Sequence, residues 1–251
     1  MGNLFTTIFY QPLFNLLVSI YNMIPDIGVA ILIITVIIKL ILWPLSHKSL
    51  KSQKALQEIQ PKMEELKEKY KDNKEKLGQE MMLLYKTEKV NPFSSCLPLL
   101  LQFPFIIAVF QVFRNGLTSD NFDLLYPFVH SPGVINPIML GVLDLSQPQI
   151  FLGVLAGIAQ FFQSRLLMAK SKKLESDNIV KVKKEPGMTD IMNKQMMYFM
   201  PILTVFISAT LPGGLALYWF LITLLGVLDQ YLINKSWKKK QEQQVEVLDS
   251  K

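Results

Sequence analysis

Long apolar runs alternate with short, densely charged stretches along the chain. Ile27 to Ser46, IGVAILIITVIIKLILWPLS, is membrane-length and contains one cation, Lys39. At the helical rise, Lys39 lies roughly 10 Å from the polar boundary at His47 and Lys48. Thr35, Lys39, Trp43 and Ser46 fall at helical spacing, so the span presents one polar stripe on a surface of Ile, Leu and Val. A charge at that depth costs a few kcal/mol and usually faces a partner or a wet cavity. The plainer reading is a lysine that snorkels to the head groups.

Four more apolar runs follow, giving expected transmembrane helices at 26–47, 91–113, 149–168, 196–211 and 213–233. Residues 4–24 are uncharged but patterned. Thr7, Gln11, Asn15, Ser19 and Asn22 recur opposite Leu13, Leu16, Leu17 and Ile20. That predicts an amphipathic helix lying in the interface within an extracytoplasmic segment 1–25, with an extra span as the alternative.

Residues 48–90 hold eleven lysines and eight acids. Leu56, Ile59, Met63, Leu66 and Tyr70 form a 3-4-3-4 seam, which Leu77, Met81 and Leu84 resume after Asp72-Asn73. This predicts a water-exposed antiparallel helical hairpin whose first arm is kinked at Pro61. A solvated charged linker would lack so regular a seam. The proline-rich segment 114–148 contains no lysine, whereas 169–195 and the tail 234–251 are lysine-rich. The positive-inside rule then places the hairpin, the 169–195 loop and the tail in the cytoplasm, with the N-terminus outside.

Composition supports this picture. Half of the 251 residues are hydrophobic, 18% are charged, and the net charge of +6 is concentrated beside spans. Membrane orientation explains those basic residues better than specific nucleic-acid binding. One cysteine, Cys96, excludes an internal disulfide. The absence of a basic stretch before the first apolar run argues against a cleaved signal peptide, and that of an early cysteine against a lipid anchor. Neither histidine sits deep in a span, and no HExxH, GxSxG or P-loop is present. No catalytic residue, metal or cofactor is expected, so the chain does not read as an enzyme.

Gln102, Gln160, Gln163 and Thr223 lie within apolar runs. Each alone is most simply a helix–helix hydrogen bond. With Lys39 and Thr35 they suit one wet cavity.

Several stretches resemble the YidC family of membrane protein insertases, in the short bacterial form lacking a large extracytoplasmic domain. TVIIKLILWPL (35–45) with QPKMEELKEKYK (60–71) is similar to the family's first span and coiled hairpin. NPFSSCLPLLLQFPF (91–105) resembles its second-span entry, and LPGGLALYW (211–219) its fifth. The resemblance implies an all-α polytopic membrane protein with five transmembrane helices around a hydrophilic groove, open to cytoplasm and lipid. It implies insertion of nascent membrane proteins in the bacterial cell membrane, a docking role for hairpin and tail at the ribosome and signal recognition machinery, and the Sec translocon as a further partner. A small solute transporter or channel using the same cavity is the alternative, but no paired intramembrane acids or inverted repeat support it.

Carried over by residue, Lys39 takes the place of the family's groove arginine and keeps the charge without the bidentate fork. Gln163 and Trp219 match groove-facing positions, with Trp219 equally an interface anchor. Thr223 stands where asparagine is common, Ser95 where glycine is, and Asp229 where glutamine is. Gln102 falls within the second-span signature. The expected groove is therefore Lys39, Thr35, Gln163, Trp219, Thr223 and Gln102.

Overall fold

The computed structural model describes residues 3–92, 97–116, 119–168 and 195–249. Ser95, Cys96 and nearly all of the 169–195 loop lie outside them. The described chain is mostly helical. After a short helical lead-in it forms α1 (Gln11–Met23), α2 (Ile27–Glu58), α3 (Gln60–Lys69), α4 (Lys74–Thr87), α5 (Leu97–Gln111), α6 (Ile150–Met168), α7 (Met200–Ser208) and α8 (Gly213–Asp249). A two-stranded hairpin, β1 (Ile138–Met139) and β2 (Leu143–Asp144), interrupts the segment between α5 and α6. Among the described residues, three helices have the length and mean hydropathy to cross a bilayer: 27–58, 150–167 and 213–236, with shorter apolar helices at 100–114 and 197–208.

The chain divides into two compact units. The first comprises residues 1–42, 101–165 and 186–228; the second comprises 43–100, 166–185 and 229–251.

In the first unit, α1 buries Leu13, Phe14, Leu17 and Val18 in a core shared with Ile27, Ile31, Ile34, Val109, Val112 and Tyr218. The polar side of α1 does not face water alone. Gln11 Nε2 and Asn15 Nδ2 both donate to the Leu124 carbonyl (3.0 Å each), and Asn15 Oδ1 accepts from Tyr126 N–H at 2.6 Å. Further along, Asn22 Nδ2 donates to the His130 carbonyl (2.7 Å), and Tyr21 Oη accepts from Asn136 N–H (2.9 Å). The amphipathic repeat is thus a backbone-binding ladder for the proline-rich segment, whose irregular chain leaves such groups unpaired.

Asp26 N-caps α2, with Oδ1 accepting from Val29 N–H at 3.0 Å. α6 and α7 cross closely because Gly153 and Gly157 lie one turn apart. A Cβ on Gly153 would sit 2.8 Å from Ser208 Cβ. One on Gly157 would strike the Val205 side chain and approach the Pro201 carbonyl to 3.0 Å. Small residues at this spacing permit such contact between spans. The first amides of α8 are not orphaned, since Gly213 and Gly214 N–H donate to the carbonyls of Gln147 and Leu145 at 2.9 Å each.

In the second unit, helix α2 runs on to Glu58 and stops at Ile59. Pro61 then stands in the first turn of α3, so it opens a new helix instead of kinking a continuous arm. Asn73 caps α4 through Lys76 N–H at 2.9 Å. The α3–α4 pair is fastened by Lys62 Nζ to Glu88 Oε1 (2.5 Å) and by Tyr85 Oη to Met63 Sδ (3.9 Å). Burial raises the Tyr85 phenol above its ordinary pKa.

Candidate functional site

Three apolar helices of the first unit bring polar groups together. Lys39 lies on α2, Gln163 on α6, and Thr223 and Gly226 on α8. Gly226 decides the geometry. A Cβ there would collide with Gln163 Nε2, and would lie 4.0 Å from Lys39 Nζ. The bare backbone of Gly226 therefore admits the ends of both long side chains. Thr223 is buried one turn earlier on the same helix. Lys39 and Gln163 are themselves only partly buried. An amide and a cation side by side provide donors for a carbonyl or carboxylate that enters hydrocarbon without water.

The other expected residues fall differently. Thr35 is fully buried, and its hydroxyl donates to the Ile31 carbonyl at 2.6 Å, one turn back. It is satisfied within its own helix and contributes to packing below the charge. Gln102 is spent on a side-chain hydrogen bond to the phenol of Tyr218, itself buried in the core. Gln160 is bonded to Thr204, joining α6 to α7. Trp219 is partly exposed. Trp43 is exposed, with its ring 5.8 Å from that of His47. Among the described residues, no cluster of three or more His, Cys, Asp or Glu side chains could hold a metal.

Sequence reasoning missed Gly226 and Tyr218. A glycine inside an apolar helix costs about 1 kcal/mol against alanine, and that cost was the available signal for a close approach. Tyr218 is adjacent to Trp219 in LPGGLALYW, but its hydroxyl's partner is 116 residues away and shows only in three dimensions.

The profile of the 60Kd inner membrane protein family matches residues 19–241. The chain belongs to that family. Relatives within it include the membrane protein insertase YidC of Geobacter sulfurreducens, 33% identical over 228 residues, covering 90% of this chain and 37% of the relative. That of Wolinella succinogenes is 33% identical over 236 residues, covering 94% and 39%. That of Syntrophus aciditrophicus is 35% identical over 227 residues, covering 90% and 36%. Among solved structures, a crystal structure of an active YidC insertase with its first transmembrane domain resolved matches with a TM-score of 0.58 and 26% identity, covering 92% of this chain and 47% of that one. The chain thus spans less than half the length of these relatives. Membership and fold together make it an all-α polytopic membrane protein.

Proposed function

We propose that this chain inserts nascent membrane proteins into a bacterial inner membrane, using the polar group at Lys39, Gln163 and Gly226 as the intramembrane station. One observation carries the reading: a lysine amine and a glutamine amide converge on bare helix backbone inside apolar helices, in a chain of a family whose relatives are named insertases. An incoming polar segment loses several kcal/mol per unpaired group in hydrocarbon. Donors held partway across reduce that loss. Burial of the substrate's own apolar helix in lipid then drives release, with no covalent step.

On this reading five helices span the membrane. α5 with the π turn that follows it, and α7 with the turn before it, supply the two that fall short of bilayer length as single α-helices. The N-terminus is outside, and the α3–α4 hairpin and basic tail are cytoplasmic, positioned to meet the ribosome, signal recognition machinery and the Sec translocon. Thr223 and Trp219 flank the station along α8, while Thr35 and Gln102 hold its walls. Lysine in place of arginine offers a point charge, which favours carboxylate substrates without imposing bidentate geometry.

Complementation of cells depleted of their own insertase tests this. Lys39→Glu is expected to abolish rescue at equal protein level, and Lys39→Arg to retain it. Full rescue by Lys39→Glu would remove the station from the mechanism.

A further inference from the structure

The hairpin between α5 and α6 has features that insertion does not use. Its turn runs from Met139 to Val142, closed by Val142 N–H to the Met139 carbonyl at 3.1 Å. The two central residues, Leu140 and Gly141, have φ of 50° and 73°. This left-handed pair is the hairpin turn that favours Asn-Gly. Leucine stands at its first position, where an L side chain is strained. The strain is held by Asp26, whose Oδ2 accepts from Leu140 N–H at 2.5 Å while its Oδ1 caps α2. The tip is thereby tied to the first turn of a membrane-length helix.

The direction in which it points is also fixed. Met139 lies against Gly28, where any Cβ would strike it. Gly28, Leu32, Val36 and Leu40 follow at four-residue spacing on one side of α2, and the last three are exposed apolar residues. The hairpin therefore sits at the head of a stripe that, in a spanning helix, meets acyl chains. Its apolar turn side chains are bare, Leu140 70% exposed and Val142 89%, and Val134 just before it is 76% exposed. Residues 124–143 carry no Asp, Glu, Lys or Arg.

We infer that the 138–144 hairpin is a lipid-binding foot, with Leu140 and Val142 seated among the upper acyl carbons of the leaflet at the N-terminal end of α2. Its occupant is phospholipid, because the bare side chains of Leu140 and Val142 continue the apolar stripe of α2, while the two carboxylates beside them are already bonded, Asp26 to the Leu140 and Val29 amides and Asp144 to Ser146. A strained leucine with its side chain outward is then explained by what it reaches. The inference requires only that α2 crosses the bilayer, so it stands or falls separately from the insertion reading.

The test uses the full-length chain carrying Cys96→Ser, with Val142→Cys labelled by an environment-sensitive fluorophore and reconstituted in phosphatidylcholine–phosphatidylglycerol vesicles. Gly78→Cys, in the open on α4, is the water reference. Quenching by lipid spin-labelled at acyl carbon 5 is expected to be at least twofold stronger at 142 than at 78, with blue-shifted emission. Equal quenching with water-like emission would overturn the inference. So would blue-shifted emission without lipid quenching, which would assign the patch to a protein partner or a second copy. Leu140→Asp should lower the quenching at 142, and a melting curve in detergent separates that effect from unfolding.

Discussion

Replacing Gly226 with larger residues separates the site's geometry from the stability of the fold. In Gly226→Ala, the new methyl displaces the end of the Gln163 side chain, a flexible group that swings aside at low cost, while Lys39 Nζ at 4.0 Å remains in ordinary contact. Overpacking of about 1–3 kcal/mol is opposed by the gain of about 1 kcal/mol for alanine in a helix. The net loss of stability should be no more than about 2 kcal/mol, and near zero if Gln163 swings aside freely. In Gly226→Leu the branched end also reaches the lysine amine, and both donors move. If a hydrogen bond to a charged group is worth about 1.5–3 kcal/mol, losing it in the insertion step slows that step roughly 10- to 100-fold. The assay is protease protection of a single-span substrate by full-length protein in liposomes, with rates per folded molecule from thermal melts. The expected order is Gly, then Ala, then Leu, with insertion falling faster than melting temperature. Wild-type rates for a well-folded Gly226→Leu protein would refute the claim that these donors act at this point.

Four further outcomes are expected. Asn15→Leu leaves the Tyr126 amide without its acceptor, while Gln11 still serves the Leu124 carbonyl, and should cost about 1–3 kcal/mol, read by hydrogen exchange in residues 122–130; protection equal to wild type would contradict it. Gly157→Leu should separate α6 from α7, lowering the melting temperature and cross-linking between cysteines on the two helices, because Val205 and the Pro201 carbonyl leave no room. The exposed Lys62–Glu88 pair should contribute no more than about 1 kcal/mol, so Lys62→Ala melting much lower than that allows would show an unexpected role for the hairpin contact. The Ser146 hydroxyl and amide hold the Asp144 carboxyl below the usual range. Its contribution is present above the unfolded carboxylate pKa of about 3.9 and is lost as pH falls through the lower folded value. Local protection at residue 146 should therefore fade only in strong acid and should lose this pH dependence in Asp144→Asn.

Period and charge made much of the fold legible. The apolar runs, the seam from Leu56 to Leu84 and the break at Asp72-Asn73 are local patterns, and local patterns dictate helices. Lys39 was legible because a single cation within a long apolar run is conspicuous. The destination of each polar group was not. Thr35 and Lys39 share a helix face, yet one bonds its own backbone and the other stands near Gly226, a difference set by which neighbouring helix comes close. Gln102 and Gln160 look like Gln163 in sequence, but Tyr218 and Thr204 occupy them. The polar stripe of α1 was visible, but its partners were distant in sequence and lay in a segment without periodicity.

That last arrangement has a consequence for how the chain itself is made. The amides of Gln11, Asn15 and Asn22 find their carbonyls 108 to 113 positions downstream. At a synthesis rate of about 5–20 residues per second, these groups wait roughly 5–20 s before their partners leave the ribosome. During that interval the hydrogen-bonding side of the first segment has none of these partners, and only the arrival of the Leu124–Asn136 stretch supplies them.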